Sequence, residues 1–350
     1  MANSMDFSLM FFSGGEGHSP RDSYQFLKRI AQFGDQNGFK RIWLPERHFV
    51  PFGALHPAPA VLASYLAACT ENIRLAAGSV VAPLHPAKRI VEDWSVVDNL
   101  SNGRVDLSLA SGWLKGDFEY APDLYDCRHK VLTERCMEVR DVWTKSACPA
   151  GDTRSGLGKR IFPSPLQPSV PIWITAARNL KTFEEAGRLG ANILTYLVDL
   201  GTERLEEAIA CYKEARTKAN HDPEGGKITL MLHSLLANEG QDNSELAKHY
   251  YARYLHNNHA LLAQSGRAGN LLTEDVLREL VDVQFERVYE NLSLMGSHQA
   301  AHKLLSTVQK IGVTEVACLV DFVDNEGLVF EATQQLAILK DNFRRNNIGK

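Results

Sequence analysis

Glu46, Arg47 and His48 stand in one row after the apolar run Ile42–Leu44 and Pro45. A carboxylate, a fixed cation and an imidazole side by side suit proton transfer under electrostatic control, because histidine changes charge near neutral pH and arginine stays cationic. His48 is the expected proton donor or acceptor, with Glu46 orienting it or pairing with Arg47. Two further apolar runs end on loaded residues. Val105–Leu109 stops at Ala110-Ser111-Gly112-Trp113, and Ile172–Thr175 stops at Ala176-Ala177-Arg178-Asn179, where a helix opens. Backbone N–H groups and a cation at a helix start suit an anion; a solvated helix end is the alternative for Arg178. Gly78-Ser79-Val80-Val81 closes another run, with His85 just behind it, and Asp321 follows Glu315–Val320. His85 reads as a functional group or a loop brace, and Asp321 as a pocket acid or a helix cap.

Side chains scattered from position 46 to position 321 meet only if strand ends converge. Strands are expected at 7–12, 41–44, 73–81, 105–109, 172–175, 191–195, 228–235 and 315–320. Helices are expected at 22–37, 58–69, 88–100, 130–143, 180–189, 205–219 and 330–343. Eight strands alternating with helices define an α/β fold, a (β/α)8 TIM barrel, which builds its active site at the carboxyl ends of its strands. A doubly wound sheet is the rival, but Gly14-Gly15-Glu16-Gly17 lacks the spacing of a dinucleotide turn. The stretch Gly151–Arg160 holds no Walker motif. An insertion at 237–297, with two helical segments around a tip at Gln264–Asn270, interrupts the last repeat and is a candidate lid. His249, His256 and His259 share one of these helices, but no acid stands at HExxH spacing, so no metal site is expected. Tyr250, Tyr251, Tyr254 and Leu255 read as its packed stripe.

The 350 residues suit one barrel domain, and no linker-like composition divides them. A net charge of −4 with both signs dispersed argues against nucleic acid or anionic membranes as partners. The amino terminus lacks the pattern of a signal peptide, and no run has the length of a membrane span. Cys69, Cys127, Cys136, Cys148, Cys211 and Cys318 form no C-x-x-C pair. They read as reduced, mostly buried thiols of a cytoplasmic protein.

Taken together and in order, WLPERHF, GSVV-PL-HP, VDNLS-GRV and LASGW resemble the bacterial luciferase-like family of flavin monooxygenases, over nearly the whole chain. The similarity is greatest to its branch in natural-product assembly lines. That resemblance implies a barrel that binds reduced FMN at its carboxyl face, forms a flavin C4a-peroxide with O2 and inserts one oxygen atom into a substrate. It implies reduced flavin from a separate reductase, and a biosynthetic intermediate, small or held on an acyl carrier protein, as substrate. Ser79, Val80, Ala110, Ser111, Gly112 and Trp113 would line the flavin ring, and Ala176, Ala177, Arg178 and Asn179, with neighbours as far as Lys181 and Thr182, the phosphate. Val80, Val81, Ala110 and Trp113 would wall the ring off from water, which a reactive flavin–oxygen adduct requires. Plain barrel core is the alternative for Val80, Val81 and Ala110. Two departures are visible. Arg47 stands where luciferase has a catalytically important histidine, so a fixed charge replaces an imidazole base, and Ser111 stands where luciferase has a phosphate-binding arginine. A deazaflavin-dependent oxidoreductase on the same barrel and a non-catalytic flavin-binding protein are the alternatives. A homodimer through the second and third helices is expected.

Overall fold

The computed structural model describes residues 5–12, 19–147, 160–198, 200–264 and 274–348. The Gly14–Gly17 run, nearly all of Gly151–Arg160, Cys148 and most of the Gln264–Asn270 tip lie outside those residues.

Eight parallel staves close a barrel. They are β1 (Asp6–Met10), β2 (Arg41–Leu44), β3 (Arg74–Val81), β4 (Val105–Ala110), β5 (Ile172–Thr175), β6 (Asn192–Tyr196), β7 (Ile228–Leu236) and β9 (Glu315–Leu319). Each pairs with the next in that order, β7 pairs with β9, and β9 pairs with β1. The staves are short and rich in Val, Ile, Leu and Trp, as strands covered on both faces must be. The surrounding helices are α1 (Pro20–Gln36), α2 (Pro59–Ala67), α3 (Ala87–Leu100), α4 (Arg128–Ala147), α5 (Leu180–Arg188), α6 (Gly201–Lys218), α9 (His298–Lys310) and α10 (Glu326–Ile348). The expected barrel is the one that forms.

Alternate residues of each stave point inward, and the inner set is unexpectedly polar. At the amino end, Arg41 is fully buried, ion-paired to Asp106 at 3.0 Å and to Glu315, and its guanidinium lies 4.8 Å from the Trp173 ring and 5.5 Å from the Trp43 ring. Arg74 grips Asp106 with two nitrogens, and Ser8 Oγ and Trp43 Nε1 both donate to Glu315. This cluster plugs the barrel floor.

Between β7 and α9 the insertion forms α7 (Ser244–Gln264), α8 (Glu274–Asn291) and a three-residue strand, β8 (Leu294–Gly296), which pairs with the last residues of β7 outside the barrel. The sequence pattern assigned no element to 298–314, where α9 lies. Its signals are an N-cap at Ser297, whose hydroxyl accepts the Ala300 N–H, and the buried face Ala301, Leu304, Leu305 and Val308. The cysteines also differ from expectation. Of the five among the described residues, only Cys136 and Cys318 are buried, and Cys127 is exposed in the turn before α4. Among the described residues no helix is long and apolar enough to cross a membrane.

Candidate active site

The carboxyl ends of the staves do bring the singled-out motifs to one rim. Glu46, two residues past β2, is buried and accepts three hydrogen bonds. Val81 N–H reaches Oε2 at 2.7 Å, while His48 Nε2 and His85 Nε2 reach Oε1 at 2.8 and 2.6 Å. Burial alone would raise this carboxyl's pKa, but the bonds from His48 and His85, the charge of His85 and the Val81 N–H outweigh it and hold it below the usual range. His85 moves the opposite way. Burial would lower it, yet the Glu46 carboxylate leaves its pKa raised. An ionised carboxylate only accepts, so both Nε2 atoms carry hydrogen, and Nδ1 is the basic nitrogen of each neutral ring. Glu46 therefore does orient His48, and it does so together with His85 from the far side of β3. It does not pair with Arg47.

Arg47 instead packs its buried guanidinium 5.0 Å from the Phe12 ring and 5.1 Å from the Trp113 ring, joining the ends of β1, β2 and β4. Its Nε has no hydrogen-bond partner among the described residues. Burial lowers its pKa against the charges of Asp117 and Tyr254. Asp117, in the 3-10 turn Lys115–Tyr120, accepts the His48 N–H at 3.3 Å; burial raises its own pKa against the pull of Arg47. The ring of Tyr120 stands edge-on to His48 at 5.1 Å.

Beside this acid–base row lies a floor of small and hydroxylated residues. Ser79 Oγ reaches Ser108 Oγ at 3.0 Å and touches Thr175 Oγ1, and Ser108 reaches Thr175 at 2.9 Å, so β3, β4 and β5 are stitched by three hydroxyls. The Gly78–Ser79 peptide is cis, and the β3–β4 register shifts there. Val80 and Val81 are buried, while Ala110, Ser111 and Trp113 keep partial exposure. Gly112 has φ +76°, and a Cβ on it would stand 2.8 Å from both Phe118 and Val81, so only glycine lets the Ser-Gly-Trp loop lie this close. Arg128 fixes the loop from α4 by donating to the Gly112 carbonyl at 3.1 Å.

At the end of β5, Ala176 is buried, whereas Ala177, Arg178 and Asn179 are exposed at the start of α5, with Asn179 Oδ1 accepting the Lys181 N–H. Asp321 is not a helix cap. Both its oxygens meet the Phe12 N–H, tying β9 to β1, and α10 is capped by Asn325. His249 and His256 are exposed on α7, and the side chain of His259 is outside the described residues. Among the described residues no cluster of histidine, cysteine or acid side chains could hold a metal.

Three groups at this rim were not singled out in the sequence. Ser108 betrays itself only as a hydroxyl inside an apolar run, and Thr175, where its own run stops at the helix start, joins it in the hydroxyl floor. His56 and His233 are buried, and neither ring nitrogen of either has a partner among the described residues. His233 lies within 4.6–5.4 Å of Tyr254, Phe322 and Tyr251 ring centroids. Isolated histidines carry no signature in a single sequence.

A closed barrel whose strand-end loops gather an oriented imidazole, a stacked guanidinium and an open floor of small residues is the framework of a cofactor-dependent enzyme. The chain belongs to the luciferase-like monooxygenase family, whose model matches residues 5–315. It is similar to the oxygenase component of the flavin-dependent trigonelline monooxygenase of Acinetobacter baylyi, 30% identical over 63% of this chain and 61% of that one. In structure it is similar to monooxygenase RslO1 from Streptomyces bottropensis, with a TM-score of 0.76 and 18% identity over 95% of this chain and 98% of that one. The oxygenating constituent of 3,6-diketocamphane monooxygenase from Pseudomonas putida, solved with FMN, has a TM-score of 0.72 and 17% identity over 95% and 97% of the two chains.

Proposed function

We propose that this chain is the oxygenase of a two-component flavin monooxygenase. Ser79, Val80, Ala110, Ser111, Gly112 and Trp113 would hold the ring of reduced FMN, and Ala176, Ala177, Arg178 and Asn179 its phosphate. The residues present fit that group: the floor of β3, β4 and β5 carries hydroxyls and small side chains, glycine at 112 lets backbone come close, and exposed N–H groups and a cation stand at the start of α5. A separate reductase supplies the reduced flavin, in keeping with a relative that is an oxygenase component. Bound reduced FMN provides the electron pair that activates O2, one atom of which enters the substrate while the other leaves as water.

The chain's own groups supply position, dryness and protons. His48, its Nε2 pinned by Glu46, presents Nδ1 for proton transfer, and in its charged form donates from the same atom. Arg47 keeps a positive charge between two aromatic faces at the place where luciferase has a histidine, so it steadies developing negative charge and does not act as a base. The substrate is a biosynthetic intermediate, and the branch resemblance supports one carried on an acyl carrier protein. The insertion closes over it as a lid, and exposed Val61, Val96 and Leu100 on α2 and α3 support pairing with a second copy.

The observation that carries this reading is the meeting of Glu46-Arg47-His48, Ser111-Gly112-Trp113 and the α5 start on one rim of a chain in this family. Anaerobic titration with reduced FMN, followed by mixing with O2, tests it. Arg178→Ala is expected to weaken reduced-FMN binding by about 1.5–3 kcal/mol, the worth of a charge-assisted hydrogen bond. His48→Ala is expected to leave binding nearly unchanged and to divert oxygen to hydrogen peroxide. Tight binding of a deazaflavin without oxygen consumption, or binding of FMN without reaction with O2, overturns the proposal.

A further inference from the structure

A small cavity lies between α1, the loop at 50–56, α7 and the end of β9. It measures about 60 Å³, too little for a cofactor or an organic substrate. A water molecule needs roughly 10–15 Å³ of such space, so about four fit. Two side chains on the wall have polar atoms to spare. Ser23, on α1, is 8% exposed and His56 is 2% exposed, and Ser23 Oγ and both ring nitrogens of His56 have no hydrogen-bond partner among the described residues. Leaving such an atom dry costs about 1–3 kcal/mol, whereas water in a polar niche satisfies it. Burial and the nearby charge of Arg47 push His56 down to about 3, so its ring is neutral, with one N–H to give and one lone pair to receive. Ser23 adds a hydroxyl that can do both. Three anchor atoms around a space of this size suit a small hydrogen-bonded water cluster.

The cavity has an outer and an inner end. Outward, Asp324 and Glu326 belong both to its wall and to an open polar groove that includes Asp22, Gln25 and Arg29. The ion pairs Arg253–Asp324 and Arg29–Glu326 stand at that boundary. Inward, Asp321 and Tyr254 face the mouth: Asp321 accepts the Phe12 N–H, and the Tyr254 ring lies 4.6 Å from that of His233 at the end of β7. Arg47 joins this end to the rim, since its N–H is held by the His56 carbonyl at 3.0 Å and its guanidinium lies against Phe12 and Trp113.

We propose that the cavity is a water site, a cluster bound to Ser23 and His56, and that it carries protons from the outer groove to the mouth beneath α7. The use of those protons rests on the oxygenase reading; the water site rests on the cavity alone. Forming hydrogen peroxide from O2 takes two electrons and two protons. The reduced flavin anion holds both electrons and one of the protons, so one more must arrive from solvent. A mouth kept dry by its lid needs a separate path for it. Linked waters pass a proton by successive transfers, and the carboxylates of Asp324 and Glu326 exchange protons with the solvent in the groove.

Crystals of the purified full chain test the water site. Ordered waters are expected in the cavity, about three or four of them, bonded to Ser23 Oγ and the His56 ring. No water at those atoms, in crystals where other buried waters are resolved, overturns the proposal. The path is tested by mixing the reduced-FMN complex with O2 without substrate and following the return of oxidised FMN. His56→Phe is expected to slow that return about tenfold and to leave the reduced-FMN dissociation constant unchanged. Ser23→Val, which fills the cavity from α1, should repeat the slowing and serves where His56→Phe does not fold. His56→Gln still bonds water and should retain most of the rate. Wild-type rates in the folded blocking variants, or a loss in His56→Gln as large as theirs, overturn the path. Failure of reduced FMN to bind defeats the oxygenase reading and the path's purpose with it, while the water site stands or falls on the crystal.

Discussion

The two ends of the barrel solve the same problem in opposite ways. At the floor, Arg41, Arg74, Asp106, Glu315, Ser8 and Trp43 bury charge inside the staves and answer it with charge and hydrogen bonds. At the mouth, Arg47 Nε, Thr195 Oγ1 and the rings of His56 and His233 are buried without hydrogen-bond partners among the described residues. A network completed by the protein itself rigidifies a core, whereas unspent donors and acceptors leave room for a guest. The contrast assigns stability to the floor and recognition to the mouth, as expected of this architecture.

The hardest blow to that division is Arg41→Met. Removing the guanidinium strands Asp106 and Glu315 in the barrel, and the expected loss is about 3–5 kcal/mol in urea unfolding. A loss below about 1 kcal/mol would mean that the floor is not the structural end. Acidification probes the mouth. His56 and His233 are both held down to about 3 by burial, while unfolded histidines titrate near 6.5. Below pH 6.5 the unfolded chain therefore binds more protons, so stability must fall with pH, by roughly 3 kcal/mol for the two rings together between pH 6.5 and 5. Unfolding curves across that range check this, and His56→Phe and His233→Phe should each remove about half of the slope. Next is Gly112→Ala, where a positive φ and a Cβ 2.8 Å from Phe118 and Val81 predict a cost of about 1–3 kcal/mol. Weaker reduced-FMN binding should accompany it. The mildest is His233→Phe at neutral pH. Replacing an unpartnered ring by an apolar one of similar size should change stability by less than about 1 kcal/mol, and a large loss would reveal a bond to this ring that the barrel mouth does not display.

Much of this was legible in the chain because strands buried on both faces are short apolar runs, and such runs stop where the chemistry begins. β2 and β5 coincide with their expected spans, and the rim motifs do assemble. What the sequence hides is partner choice. Glu46 and Arg47 are neighbours in the chain, yet successive residues diverge, and Glu46 finds His85 across β3 instead. The α9 helix was missed because its apolar face follows a long insertion that had already absorbed the expected crossover. His56 sits in a Leu-His-Pro turn that looks like any loop, and only the fold reveals that its ring is buried.

One detail of the insertion bears on how this protein can be re-engineered. β7 changes neighbours along its length, from β6 and β9 to β8, and the root is clasped by Ala237 N–H to the Gly296 carbonyl at 2.8 Å, Asn243 Nδ2 to the Leu235 carbonyl and Tyr289 Oη to Asn243. Splicing in a relative's segment at the helix ends would cut through that clasp and bare a sheet edge. Exchanged whole, from Leu235 to Ser297, the segment brings its own clasp, together with Tyr251 and Tyr254 over the mouth, and becomes a portable cassette for altering what the barrel accepts.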